Sequence, residues 1–121
     1  MHGGVAKDNL KEENVDAVKA GIVNLERHVN NIRKFGVEPV IALNAFIHDT
    51  DAEIEFVKSW AKENGVRIAL TEVWEKGGKG GVDLANEVLE VIDQPQNFKP
   101  LYELNQPLED KIETIVKEIY G

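Results

Sequence analysis

The chain has 121 residues, 42% hydrophobic and 30% charged, an ordinary balance for one globular domain with a modest core. Its formal net charge of -8 and pI of about 4.9 make the phosphate term repulsive, which argues against non-specific binding to nucleic acid or to an anionic membrane. With no cysteine there is no disulfide or thiolate zinc site, no run is long and apolar enough to span a membrane, and Met1-His2-Gly3-Gly4 lacks the apolar core of a signal peptide, so the expected setting is the cytoplasm.

Residues 1–9 are polar and glycine-containing and read as a loop. Apolar residues at Val15, Val18, Ile22, Leu25, Val29 and Ile32 recur at the three-and-four spacing of one helix face. That helix starts between Asn9 and Asn14 and ends at Gly36, a good residue to follow a helix. Val40-Ile41-Ala42-Leu43 is a continuous apolar run, the pattern of a strand covered on both faces. Pro39 falls at its start, where a missing donor does least harm. Thr50-Asp51-Ala52-Glu53 fits a capping box, with Thr50 as N-cap and Glu53 three residues on. The helix it opens carries Ile54, Val57 and Ala61 on one stripe, with Phe56 and Trp60 alongside, and closes at Gly65.

Residues 66–72 form a second buried-type strand. It leads through Trp74 into the glycine-rich stretch Lys76-Gly77-Gly78-Lys79-Gly80-Gly81, read as a loop. A third helix starts near Gly81, places Ala85, Val88, Leu89 and Ile92 inward, and stops at Asp93-Gln94-Pro95. Residues 96–106 are irregular, with Phe98, Leu101, Tyr102 and Leu104 available for packing. Pro107 opens the last helix at its first position, with Leu108, Ile112, Ile115 and Ile119 as its stripe.

Alternation of helix and strand implies parallel strands joined by right-handed crossovers. The expected class is α/β, of the parallel-strand three-layer type, with two short parallel strands and about four helices. One domain covers 1–121: loop 1–9, an αβαβα core over 10–95, and a connection with C-terminal helix over 96–121. Two strands with both faces buried call for more strands beside them. That points either to a piece of a larger α/β protein or to a small domain that covers its edges by dimerising.

In a parallel sheet both C-terminal strand ends lie on one edge, where ligands gather. Phe46 closely follows the first strand and Trp74 the second, so two aromatics can flank one crevice. Stacking on a pterin, flavin or purine is one role for them; plugging the ends of the core is the other. The lysines and glycines of residues 76–81, set before a helix, suit a phosphate or carboxylate, or make a mobile surface loop. They do not form a Gly-x-x-x-x-Gly-Lys-Ser/Thr loop or a dinucleotide fingerprint. Asn44 can offer its amide to a ring edge or cap its own turn. The acids at 49, 51, 53 and 55 suit the positive end of a helix dipole and lack the layout of a calcium loop. His2, His28 and His48 have no metal-ligand spacing.

Met1-His2-Gly3-Gly4-Val5-Ala6, Asn44-Ala45-Phe46, Asp49-Thr50-Asp51-Ala52-Glu53 and the run from Thr71 to Gly81 closely resemble formate–tetrahydrofolate ligases, in order and across essentially the whole chain. The Glu72-Val73-Trp74 followed by the paired glycines is the most specific part. The resemblance implies an ATP-dependent C–N ligase of one-carbon metabolism. Such an enzyme makes formyl phosphate from ATP and formate and passes the formyl group to tetrahydrofolate, with Mg²⁺ and often as a homotetramer. It implies that Phe46 and Trp74 sandwich the folate ring, overlapping a site for adenosine-type ligands, and that Asn44 meets the ring edge. Lys76 would offer a charge to a phosphate or to the folate glutamate, and Gly77, Gly78, Gly80 and Gly81 would form a flexible cover. His2, Gly3 and Gly4 match the tail of a nucleotide-side signature. The family's phosphate loop and its upstream lysine and arginine have no counterpart here, and Ala45 stands where many members have Lys or Arg. The expectation is an internal piece of the ligase that carries part of the folate and nucleotide pocket, partners the rest of the ligase chain, and is inactive alone. No catalytic or metal-ligating residue is expected within it. The alternative is a self-standing, non-catalytic α/β binding or assembly module.

Overall fold

In the computed structural model, which describes residues 2–121, two parallel strands organise the chain. Met1, the first residue of the loop expected over 1–9, lies outside the described residues. The elements are α1 (Val15–Arg33), β1 (Val40–Asn44), α2 (Asp51–Glu63), β2 (Arg67–Thr71), a single turn α3 (Val73–Lys76), α4 (Val82–Ile92) and α5 (Leu108–Ile115). This is the α/β class expected.

Local chemistry sets the boundaries. Asn14 caps α1, its side chain accepting from the Ala17 N–H at 2.9 Å. Thr50 and Glu53 form the expected reciprocal box at the start of α2. Pro107 is the N-cap of α5 rather than its first helical residue. After α1 the backbone turns at Gly36, where φ is +72° and a Cβ would lie 1.9 Å from the Asn97 carbonyl oxygen. No other residue fits there. The same carbonyl-lined turn holds the irregular connection, because Asn97 N–H donates to Gly36 O and Lys99 N–H to Phe35 O.

β1 and β2 pair in register, Val40 opposite Arg67 through Asn44 opposite Thr71. Ile41 and Ile68 face α1 and α2, and there Val29, Ala61 and Val66 complete the buried core with Leu25 and Trp60 against it. The opposite face, carrying Arg67, Ala69 and Thr71, lies against α4. Three layers result: two helices, the sheet, and one helix.

Three further expectations need correction. The apolar residues of α4 expected inward are outward: Val88, Leu89 and Ile92 are 40%, 55% and 61% exposed, and Ala85 is exposed too. Leu84, Glu87 and Val91 face the sheet instead. In this orientation Leu84 and Val91 cover the sheet, and Arg67 pairs with Glu87 at 2.9 Å and Glu90 at 2.7 Å. β1 is covered on one face only, since α4 lies mainly over β2 and leaves Ala42 and Asn44 exposed. Residues 73–81 are not an irregular loop but α3 followed by a 3₁₀ turn over Gly77–Gly81.

α5 continues into a π-helical turn over Val116–Tyr120, and this turn docks by polar contacts. Arg27 donates to the Tyr120 carbonyl at 2.7 Å, Asn31 to the Ile119 carbonyl at 3.2 Å, and Lys34 pairs with Glu118 at 3.1 Å. The α5 stripe of Leu108, Ile112 and Ile115 stays exposed.

Candidate functional site

The C-terminal edge of the sheet carries the candidate site. β1 ends at Asn44 and β2 at Thr71, directly opposite each other. Ala45 N–H donates to Thr71 O at 3.0 Å and carries the pairing one residue further. Phe46 follows on one side. Trp74 follows on the other, lifted onto α3. Their rings stack, with centroids 6.0 Å apart and planes inclined by 23°. Phe46 is 55% and Trp74 50% exposed, so the pair stands at the surface and does not plug the core.

Both aromatics are held by hydrogen bonds, one to a backbone carbonyl and one to a side-chain carboxylate. Trp74 Nε1 donates to the Ala45 carbonyl at 2.6 Å. Phe46 N–H donates to the Asp49 carboxylate at 2.8 Å, closing a short turn. The spacing matters. A planar guest between two aromatic faces needs about 7 Å, two contacts of about 3.5 Å each. A centroid separation of 6.0 Å is less, so the rings lie against each other and have to part to admit a guest.

Asn44 and Thr71 adjoin the pair. The Thr71 hydroxyl, on a residue only 2% exposed, donates to the Asn44 side-chain carbonyl at 2.6 Å. The sequence reading gives Thr71, the Ala45 carbonyl and Glu72 no role in the site. Only the strand register, which sets 44 opposite 71, brings them to the site.

Lys76 lies on α3, and its ammonium pairs with Glu72 at 2.5 Å. The Glu72 hydrogen bond raises the lysine above its ordinary range. Its charge is thereby partly satisfied within the chain. Gly77 has φ +58°, and Gly80 sits where a Cβ would be 2.6 Å from the Glu72 carbonyl. Glu72 N–H donates to Gly80 O at 3.1 Å. The glycine-rich turn is therefore folded back on residues 72 and 73. Gly78 is open, and a Cβ added at Gly81 would lie 3.1 Å from the Val73 side chain.

His2, Gly3 and Gly4 fall elsewhere. Gly3 crosses α1 so closely that a Cβ would overlap the Ala17 carbonyl. It borders a groove of about 420 Å³ with Val18, Ile22, Leu43, Ile54 and Val57. Phe46 and Trp74 do not line that groove. Among the described residues no group of three His, Asp or Glu side chains is placed to hold a metal ion. No described helix is long and apolar enough to cross a membrane.

A sequence profile of formate–tetrahydrofolate ligase matches residues 1–121. The chain is 88% identical over 121 residues to the formate–tetrahydrofolate ligase of Staphylococcus aureus strain JH9, and to the same degree to that of strain NCTC 8325. The match covers all of this chain, which spans 22% of the length of those relatives. The chain belongs to the formate–tetrahydrofolate ligase family.

Proposed function

We propose that this chain works as part of a formate–tetrahydrofolate ligase, making 10-formyltetrahydrofolate from formate, tetrahydrofolate and ATP through formyl phosphate. In this reading residues 1–121 are one internal α/β domain of a cytoplasmic, homotetrameric enzyme. Its divisions are the loop 1–9, the core 10–95, and the connection with the C-terminal helix 96–121. The rest of the ligase polypeptide is its partner. The open apolar faces of α4 and α5 and the 22% span support that partnership.

The domain supplies part of the folate and nucleotide pocket. The observation that carries this is the exposed Phe46–Trp74 stack at the shared C-terminal edge of two parallel strands. The two rings part and the reduced pterin, or an adenine, enters between them. Offset stacking of this kind contributes about 0.5–1.5 kcal/mol per pair beyond burial. Asn44 meets the ring edge. Lys76 exchanges Glu72 for a phosphate or the folate glutamate, and Gly77, Gly78, Gly80 and Gly81 allow the adjoining turn to close over the ligand. His2, Gly3 and Gly4 belong to the nucleotide side.

Phosphoryl transfer needs cationic groups around the moving phosphate. The sequence has no Gly-x-x-x-x-Gly-Lys-Ser/Thr loop, so the isolated chain is inactive. Mg²⁺ accompanies ATP in the whole enzyme. Among the described residues no donor set fits a complete site for it, and no step here depends on it.

The test is a tryptophan-fluorescence titration with tetrahydrofolate on Trp60→Phe, which leaves Trp74 as the reporter. Saturable quenching, weakened by Phe46→Ala, is expected. A folded sample that shows no saturation means that the pocket is not complete within these residues and needs the rest of the ligase chain. Tetrahydrofolate-dependent release of ADP by the pure chain overturns the inactivity.

A further inference from the structure

Building on the ring-edge role given to Asn44, we propose that Thr71 is a positioning residue that fixes the Asn44 amide with its NH₂ toward the ligand. The site then selects a ring edge that offers a hydrogen-bond acceptor, a ring nitrogen or a carbonyl oxygen.

The geometry starts from the register. Asn44 and Thr71 are cross-strand partners 27 positions apart and share one face of the sheet. Thr71 is 2% exposed. A buried hydroxyl costs free energy unless it is hydrogen-bonded, and a valine would fill the same space without that demand. The hydroxyl has one proton to give, and it gives it to Asn44 Oδ1 at 2.6 Å. A carboxamide is planar, with oxygen and nitrogen on opposite sides. Engaging Oδ1 inward therefore turns Nδ2 outward.

The surroundings remove the competing orientations. Among the described residues no protein acceptor takes the Asn44 Nδ2 protons, and Asn44 is exposed. The neighbouring Trp74 Nε1 is already committed to the Ala45 carbonyl, and the Ala45 N–H to Thr71 O. Of the side-chain donors on these two strand ends, the Asn44 amide is the one left without an acceptor among the described residues. Without the Thr71 hydroxyl its amide can turn over and present oxygen where a donor is required.

The test uses the whole ligase with these 121 residues in place of the matching stretch of the Staphylococcus aureus enzyme. Thr71→Val is expected to raise the KM for tetrahydrofolate about fivefold, the scale of one net hydrogen bond. The KM for formate and kcat stay unchanged. Thr71→Ser restores the KM to within about twofold. In an Asn44→Ala background Thr71→Val adds nothing, because it acts only through the amide. Should Thr71→Val not accumulate folded, Thr71→Cys, a poor donor of similar size, takes its place with the same expectations. An effect of Thr71→Val that persists in Asn44→Ala, or that changes the KM for formate to the same degree, overturns the positioning role. Asn44→Ala with an unchanged tetrahydrofolate KM overturns the ring-edge reading itself, and the two failures are thus told apart.

Discussion

The Trp74 indole N–H donates to the carbonyl of Ala45 at 2.6 Å, and Ala45 is the residue between Asn44 and Phe46. One hydrogen bond therefore ties the aromatic of the second strand end to the backbone that carries the aromatic of the first. Trp74 is further seated on α3, which the Glu72–Gly80 contact braces. Phe46 stands in a short turn held by Asp49. When the rings part, Phe46 is the one expected to move.

Removing the tie separates stacking from placement. Trp74→Phe keeps an aromatic face and loses the N–H. Tetrahydrofolate affinity is expected to fall about two- to tenfold, the range of one net hydrogen bond, while Phe46→Tyr stays close to the parent. Calorimetric titration of both variants checks this. A Trp74→Phe protein that binds as tightly as the parent would show that the Ala45 contact does not set the ring.

The glycine-rich turn is expected to be selective about where it tolerates a methyl group. At Gly80 an added Cβ would lie 2.6 Å from the Glu72 carbonyl, against backbone that cannot step aside. Gly80→Ala is expected to cost about 1–3 kcal/mol, the usual range for overpacking. Gly78 has nothing within 4 Å, so Gly78→Ala is expected to stay within about 0.5 kcal/mol of the parent. Urea denaturation of the pair decides it. Equal effects at the two sites would mean that the turn is not packed on Glu72.

The two strands, the capping box and the parallel order were legible because each has a local signal: a continuous apolar run, a Thr-x-x-Glu, a glycine after a helix. The expectation that Phe46 and Trp74 share one edge followed from topology alone. The failure at α4 was rotational. The apolar spacing of α4 names Ala85, Val88, Leu89 and Ile92, yet the helix turns Leu84 and Val91 to the sheet, with Glu87 and Glu90 paired to Arg67. A pair between residues 20 or more positions apart leaves no mark in a hydrophobic period. Thr71 was missed for the same reason. Its hydroxyl is meaningful only opposite Asn44, and register is a property of two strands, not of one.

Glu53 joins two helix starts, so its loss is expected to exceed that of a cap. One carboxylate oxygen accepts from the Asn14 N–H at 2.8 Å, and the other from the Thr50 N–H at 3.2 Å. Asn14 caps α1 and Thr50 caps α2. Thr50→Ala should cost about 1 kcal/mol, as N-cap removals do. Glu53→Ala should cost about 1–3 kcal/mol, since a partly buried donor is left unpaired. The double variant should cost less than the sum, because both changes act on one network. Strict additivity in chemical denaturation would rule out the shared network.

The far end of the chain offers a test in pH. Lys117 hydrogen-bonds the Glu113 carboxylate one turn earlier. That bond holds Glu113 below its ordinary 4.5 and raises Lys117 above 10.5. A lowered carboxyl value favours the folded state above the unfolded value of 4.5, and the contribution disappears as the pH falls through the lower, folded value. The raised lysine value works in the other direction: its contribution is complete below 10.5 and is lost only as the pH rises past the folded value. Both groups are exposed, so the effect is small and is screened by salt. Glu113→Gln is expected to melt slightly below the parent at neutral pH in low salt. The two melting curves should merge once the pH is well below 4.5, and again at neutral pH in molar salt. A gap that survives in acid would place the effect of residue 113 in helix propensity and not in its pairing with Lys117.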